Sequence, residues 1–178
     1  DDNFKCARTI EVSVGSKVAI TPRRVLSASR SRRNDETSLR NRSIRGFIEI
    51  YRHINREGLL RMVSKKSYMQ RFNYEMSSIL KRAENDITVG IVEYNTDGRV
   101  PEKKEIEDLF HLFNDISLDI LVPPIVTKLP CEKYIKFLDE FIEVYQTCSF
   151  HAILVPVIPH YSIVDIPRLF EYYAKKDE

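Results

Sequence analysis

Three short β-branched runs recur at a fixed interval, and no other feature restricts the fold of this chain as much. Ile87-Thr88-Val89-Gly90-Ile91-Val92 is followed 33 residues later by Ile120-Leu121-Val122-Pro123-Pro124-Ile125-Val126, and after the same step by Ile153-Leu154-Val155-Pro156-Val157-Ile158. Behind each run comes a charged stretch with apolar residues at helical spacing: Ile106, Leu109, Phe110 and Phe113, then Tyr134, Leu138, Phe141 and Tyr145, then Ile166, Leu169, Phe170 and Tyr173. A short buried run followed by an amphipathic helix, repeated, is the pattern of βα units in a parallel sheet. Each such unit is expected to cross over right-handedly.

A complete (β/α)8 barrel takes roughly 250 residues, with a lower bound near 200. At 178 residues, the expectation is a single α/β domain built as an incomplete (β/α) barrel, with a small open doubly wound sheet as the alternative. The repeats occupy about residues 86–178. The chain begins with Asp1 rather than Met, which is compatible with its being a piece of a longer protein. Prolines 123, 124 and 156 conflict with mid-sheet positions, because proline brings no ladder donor. The expected resolution is that hydrogen bonding ends near residues 122 and 155 and the strands splay there.

The front of the chain reads differently. Ile10, Val12 and Val14 alternate, Gly15-Ser16 interrupts, and Val18 and Ile20 resume, so a β-hairpin is expected over about 7–22. Residues 23–29 are a candidate first sheet strand. Residues of about 30–45 are almost entirely Arg, Ser, Asn and acidic, the composition of a mobile basic loop. Ile44 to Tyr51 suit a strand, and Tyr68, Phe72, Met76, Ile79 and Leu80 predict an amphipathic helix of about four turns with Asn85 as its C-cap.

The net charge of +2 hides a division: residues 1–85 carry 19 Lys/Arg against 9 Asp/Glu, and residues 86–178 carry 9 against 17. Only the first half offers an electrostatic footprint for RNA or DNA. Arginine is the side chain suited to bidentate phosphate contacts, so Arg23, Arg24, Arg30, Arg32, Arg33, Arg40, Arg42 and Arg45 are the candidate nucleic-acid contacts. Cys6, Cys131 and Cys148 have no CxxC or Cys/His spacing, so neither a metal nor a cofactor is expected, and reduced thiols point to a cytoplasmic protein. No apolar run reaches the roughly 20 residues of a membrane helix, so no membrane partner is expected.

Ala7-Arg8, the alternating Val12 and Val14, Gly15 and the dipeptide Thr21-Pro22 resemble the N-terminal hairpin of the tRNA-guanine transglycosylases. These are barrel enzymes that exchange a guanine in nucleic acid for a deazaguanine. The resemblance covers about sixteen residues and implies a barrel fold, tRNA modification and transferase chemistry at a nucleobase. The family's Asp-Ser-Gly-Gly-Phe-Gln, Gln-Gly-Gly and Cys-x-Cys-x-x-Cys motifs are absent from this chain, so the resemblance assigns no catalytic residue.

Read from the residues alone, the C-terminal ends of the repeated strands gather Glu93, Tyr94 and Asn95, then Thr127 and Lys128, then His160, Tyr161 and Ser162. That is the edge at which α/β proteins place ligands. Glu93 and His160 are the candidate catalytic acid–base pair, and Asn95, Lys128 and Tyr161 the candidate substrate contacts, with Lys128 suited to an anionic group. Asp86 and Asp119, at the opposite edge, read as turn or cap residues, and His53 as a surface or partly packed residue. The function expected is a nucleic-acid-associated α/β barrel domain acting in base exchange. The alternative is a non-catalytic nucleic-acid-binding or assembly module, a homo-oligomer or one completed by a second chain.

Overall fold

A computed structural model describes residues 10–21, 26–27, 46–113, 115–159 and 161–176. The expected hairpin is there: β1 (Ile10–Val14) and β2 (Lys17–Thr21) pair antiparallel. Gly15 takes φ +58 at the first position of its two-residue turn, a conformation that a side chain there would strain.

The remaining strands form one parallel sheet: β3 (Leu26–Ser27), β4 (Phe47–Asn55), β5 (Ile87–Asn95), β6 (Ile120–Leu121), β7 (Ile125–Thr127) and β8 (Ile153–Leu154). Their spatial order follows the chain, β3-β4-β5-β6-β8, with β7 also on β5. A doubly wound sheet reverses its order at a switch point, and no reversal occurs among the described strands. The strand expected at Ile44–Tyr51 instead spans Phe47–Asn55. The third run keeps only two residues in strand geometry.

The helices are α1 (Arg56–Ser64), α2 (Lys66–Arg82), α3 (Lys103–Phe113), α4 (Cys131–Thr147) and α5 (Ile166–Ala174). Asn55 starts α1, its Oδ1 accepting from the Gly58 N–H at 2.8 Å, as N-cap residues do. Helix α2 ends at Ala83 rather than at Asn85. Side chains from all five described helices join one core with Ile48, Ile50, Ile54, Val92, Tyr94, Leu121 and Val126. Alternate strand residues face opposite sides, so the described helices cover one face only. Stacked Phe110 and Phe141, with ring centroids 4.7 Å apart, tie α3 to α4.

The hairpin lies on the other face, at the N-terminal ends of the strands, where Val12, Val14 and Ala19 pack with Phe47, Ile87, Val89 and Ile120. Asp119 latches it. Its Oδ2 accepts from Lys17 Nζ at 2.7 Å and from the Thr88 N–H and hydroxyl, each at 2.7 Å. Burial raises the Asp119 carboxyl, but these donors outweigh it and hold the group below the usual carboxylate range. Asp86 accepts from the Gly46 N–H at 2.8 Å. Both aspartates are therefore anchors at the edge away from the candidate site.

The prolines act differently from the expected splay. Val89 pairs with Ile120 and Gly90 with Leu121, whereas Glu93 pairs with Ile125. Three residues, Val122-Pro123-Pro124, thus span the two opposite them, Ile91 and Val92, which is a bulge. The bulge absorbs both missing donors, and the strand resumes on the same neighbour. On the last strand the expectation is met, since its final bond to β6 is from the Val155 N–H to the Leu121 carbonyl at 3.0 Å.

Candidate functional site

The helix-free face is where the polar strand residues gather. Strands β4 and β5 pair in register, Tyr51 with Ile91, His53 with Glu93 and Asn55 with Asn95. The bulge then brings Ile125 beside Glu93 and Thr127 beside Asn95. His53, Glu93, Asn95 and Thr127 consequently form a polar group at the C-terminal end of a face that carries none of the described helices.

Within that group, His53 Nδ1 lies 3.7 Å from Glu93 Oε1, with the side chains 55% and 30% exposed. The distance exceeds a hydrogen bond but is close enough for an imidazolium to attract the carboxylate. Asn95 Oδ1 accepts from the Thr127 hydroxyl at 3.2 Å and from the Asp97 N–H at 3.0 Å, leaving its amide N–H groups directed elsewhere. A half-exposed carboxylate next to an imidazole, with an oriented amide one row above, can take a proton from a ligand and hold the ligand's acceptors.

The other sequence candidates separate. Tyr94, adjacent to Glu93 in the chain, faces the helices and is wholly buried, its hydroxyl donating to Glu105 Oε1 at 2.9 Å. Burial first, and then that bond, push the phenol well above its usual range. Lys128, with φ 60, reaches Asp97 at only 4.0 Å, both side chains being largely exposed. Tyr161 lies apart from that group: its hydroxyl donates to the Leu129 carbonyl at 2.9 Å, its ring lies 5.8 Å from that of Tyr134, and burial pushes its phenol up to about 12. Ser162 donates to Asp165 at 2.7 Å. His160, Cys6 and the eight candidate arginines lie outside the described residues.

Two features escaped the sequence reading. His53 is a strand residue beside Glu93, although its strand looked finished at Tyr51, because Arg52 breaks the apolar alternation of Ile48, Ile50 and Ile54. Arg52 faces α2, where Glu75 lies 3.5 Å away. The second is a charge cluster around Glu105, which accepts from Arg99 Nη2 and the Glu102 N–H, both at 2.9 Å, and lies 3.0 Å from Arg56 Nε. Burial raises this carboxyl, but its donors and the two arginines bring it below the usual range. The cluster lines a cleft of about 640 Å³ between α1 and α3, with Asn55, Leu60, Asn95 and Asp97 on its walls. Its arginines are engaged by Glu102 and Glu105, so it holds α1, the loop after β5 and α3 together.

Among the described residues no three His, Cys, Asp or Glu side chains group as metal ligands, and no helix is long and apolar enough to cross a membrane. Cys131 is buried, which raises its thiol and suits packing rather than nucleophilic work. In comparisons with protein-family models, curated proteins and solved structures, nothing matches this chain.

Proposed function

We propose that this chain is a nucleic-acid-associated α/β domain of the incomplete-barrel kind, with its ligand site at the C-terminal end of the helix-free face. The observation that carries this reading is the His53, Glu93, Asn95 and Thr127 group on a parallel sheet wound in one direction only. In a sheet curled that way the helix-free face is the inner one, and the C-terminal ends of its strands are where barrels put their chemistry. Glu93 takes the place of general base, becoming neutral as it accepts the proton, and His53 lies beside it as the side chain that orients it. His53 replaces His160 as the partner of Glu93 in this reading, and Tyr161 drops out of the substrate contacts.

The partner follows from charge. The arginine-rich stretch comes directly after β3 in the chain, and the first half of the protein carries the basic excess. A polyanion with a base to present to Glu93 fits both features, and the reaction class in keeping with the hairpin resemblance is base exchange. Titration of tRNA and of duplex DNA at two salt concentrations tests the partner, since neutralising several phosphates makes affinity fall steeply with salt. Absent or salt-insensitive binding overturns the reading. Binding with no base exchange, unchanged by Glu93→Gln, leaves the chain a non-catalytic module.

A further inference from the structure

The basic excess of the first half is not confined to the arginine-rich stretch. Helix α2 turns Phe72, Met76 and Ile79 into the core, and its other side faces solvent. Residues three and four apart share one side of a helix, so Lys66, Gln70, Tyr74, Ser77 and Lys81, all exposed, form a single stripe along that side. Arg71, Ser78 and Arg82 run beside it. Tyr74, in the middle, is 78% exposed.

The charges of this surface are almost all of one sign. Glu75 is the one carboxylate of α2, and it lies 3.5 Å from Arg52 and 3.4 Å from Arg71. Among the described residues no carboxylate comes within ion-pair distance of Lys66, Lys81 or Arg82. The layer formed by α3, α4 and α5 is different, because Lys103 lies 2.8 Å from Glu143, Lys104 2.9 Å from Asp108 and Lys176 2.9 Å from Asp139. That layer neutralises its own cations, whereas α2 holds its cations ready for a partner.

We infer that the solvent side of α2 binds a single-stranded segment of nucleic acid, its phosphates on Lys66, Arg71, Lys81 and Arg82 and one base stacked on Tyr74. The hydroxyls of Ser77 and Ser78 and the amide of Gln70 are further donors suited to phosphate oxygens. Unpaired bases are the ones free to stack on an exposed aromatic ring, which favours a single strand over a duplex. A rise of ~1.5 Å per residue sets Lys66 and Lys81 about 22 Å apart, a length that takes several nucleotides. An anionic membrane surface is a poorer occupant. A helix lying on lipid buries its apolar side there, and the apolar side of α2 is already in the core. The inference rests on the nucleic-acid reading for the class of partner, and it gives that partner a surface separate from the polar group at Glu93.

Fluorescence anisotropy with a labelled single-stranded RNA of about twelve nucleotides, at several salt concentrations, tests it. The wild-type protein is expected to bind with an affinity that falls steeply with salt. Lys66→Ala combined with Lys81→Ala should weaken binding about tenfold and reduce the salt slope by about 1.4, at roughly 0.7 per phosphate of a single strand. Tyr74→Ala should weaken it about tenfold with the slope unchanged, since stacking releases no counterions. Lys133→Ala combined with Lys136→Ala removes the same charge from exposed positions of α4 and should leave affinity and slope as they are. The chain has no Trp, so Tyr74→Trp supplies a single indole whose emission the RNA should quench and inorganic polyphosphate should not. Salt-dependent binding that every α2 variant retains in full overturns the inference and leaves the nucleic-acid reading standing on the arginine-rich stretch. Binding to phosphatidylserine vesicles in place of RNA, or to neither, overturns both.

Discussion

The two faces of the sheet are made from alternate residues of the same strands, yet they carry different side chains. On β5 the helix-covered face takes Thr88, Gly90, Val92 and Tyr94, all buried, while the opposite face takes Val89, Ile91, Glu93 and Asn95, all partly exposed. The first set sits among close-packed neighbours from five helices. Among the described residues the second is packed by the hairpin, at one end. A close-packed face punishes any change of volume, whereas an open one leaves room for charge. The comparison therefore assigns stability to one face and makes the other the place of the proposed binding.

Mutations on the two faces can break that assignment, beginning with the covered one. Phe141, 2% exposed and stacked on Phe110, should lose about 3–5 kcal/mol of stability on change to alanine, measured by denaturant unfolding. A loss below about 1 kcal/mol would mean that the α3–α4 layer is loosely packed and the contrast overstated.

Asp119→Asn removes a charged acceptor from Lys17 and Thr88, and about 1.5–3 kcal/mol is expected. The same carboxyl predicts a pH dependence. Its folded pKa is depressed, so its contribution is complete above the unfolded value of about 3.9 and disappears as pH falls through the folded value. The wild-type protein should lose more stability in that acid range than the Asp119→Asn variant, as unfolding curves at a series of pH values will show.

Gly90→Ala tests how tight the covered face is at a single carbon. A Cβ there would stand 2.5 Å from Leu118 Cδ1, and moving that buried methyl should cost about 1 kcal/mol. The smallest effect belongs to the open face. Glu93→Gln should shift stability by no more than about 0.5 kcal/mol while removing any base-exchange turnover, so a large destabilisation would make Glu93 a structural residue and undo the comparison.

Much of this fold was legible beforehand, because βα units write themselves locally. The 33-residue step, the helical stripes ending in Phe113 and Tyr145, and the alternation broken at Gly15 each follow from one element's own periodicity. The errors fell where a residue serves a partner distant in the chain. Arg52 looks like the end of a strand until α2 places Glu75 over it. Pro123 and Pro124 look like a strand end until β5 supplies the register that makes them a bulge.

The sequence by itself determined the class of element, the hairpin and the edge at which to search, since these depend on backbone preferences and on spacing within a few residues. Only the tertiary structure decided that the described helices share one face, that His53 lies beside Glu93 while Tyr94 turns to Glu105, and that the hairpin packs on the other face. Those outcomes depend on register between strands, and a shift of one residue turns every side chain to the opposite face. Register is set by packing across the whole sheet, which no local stretch of the chain encodes.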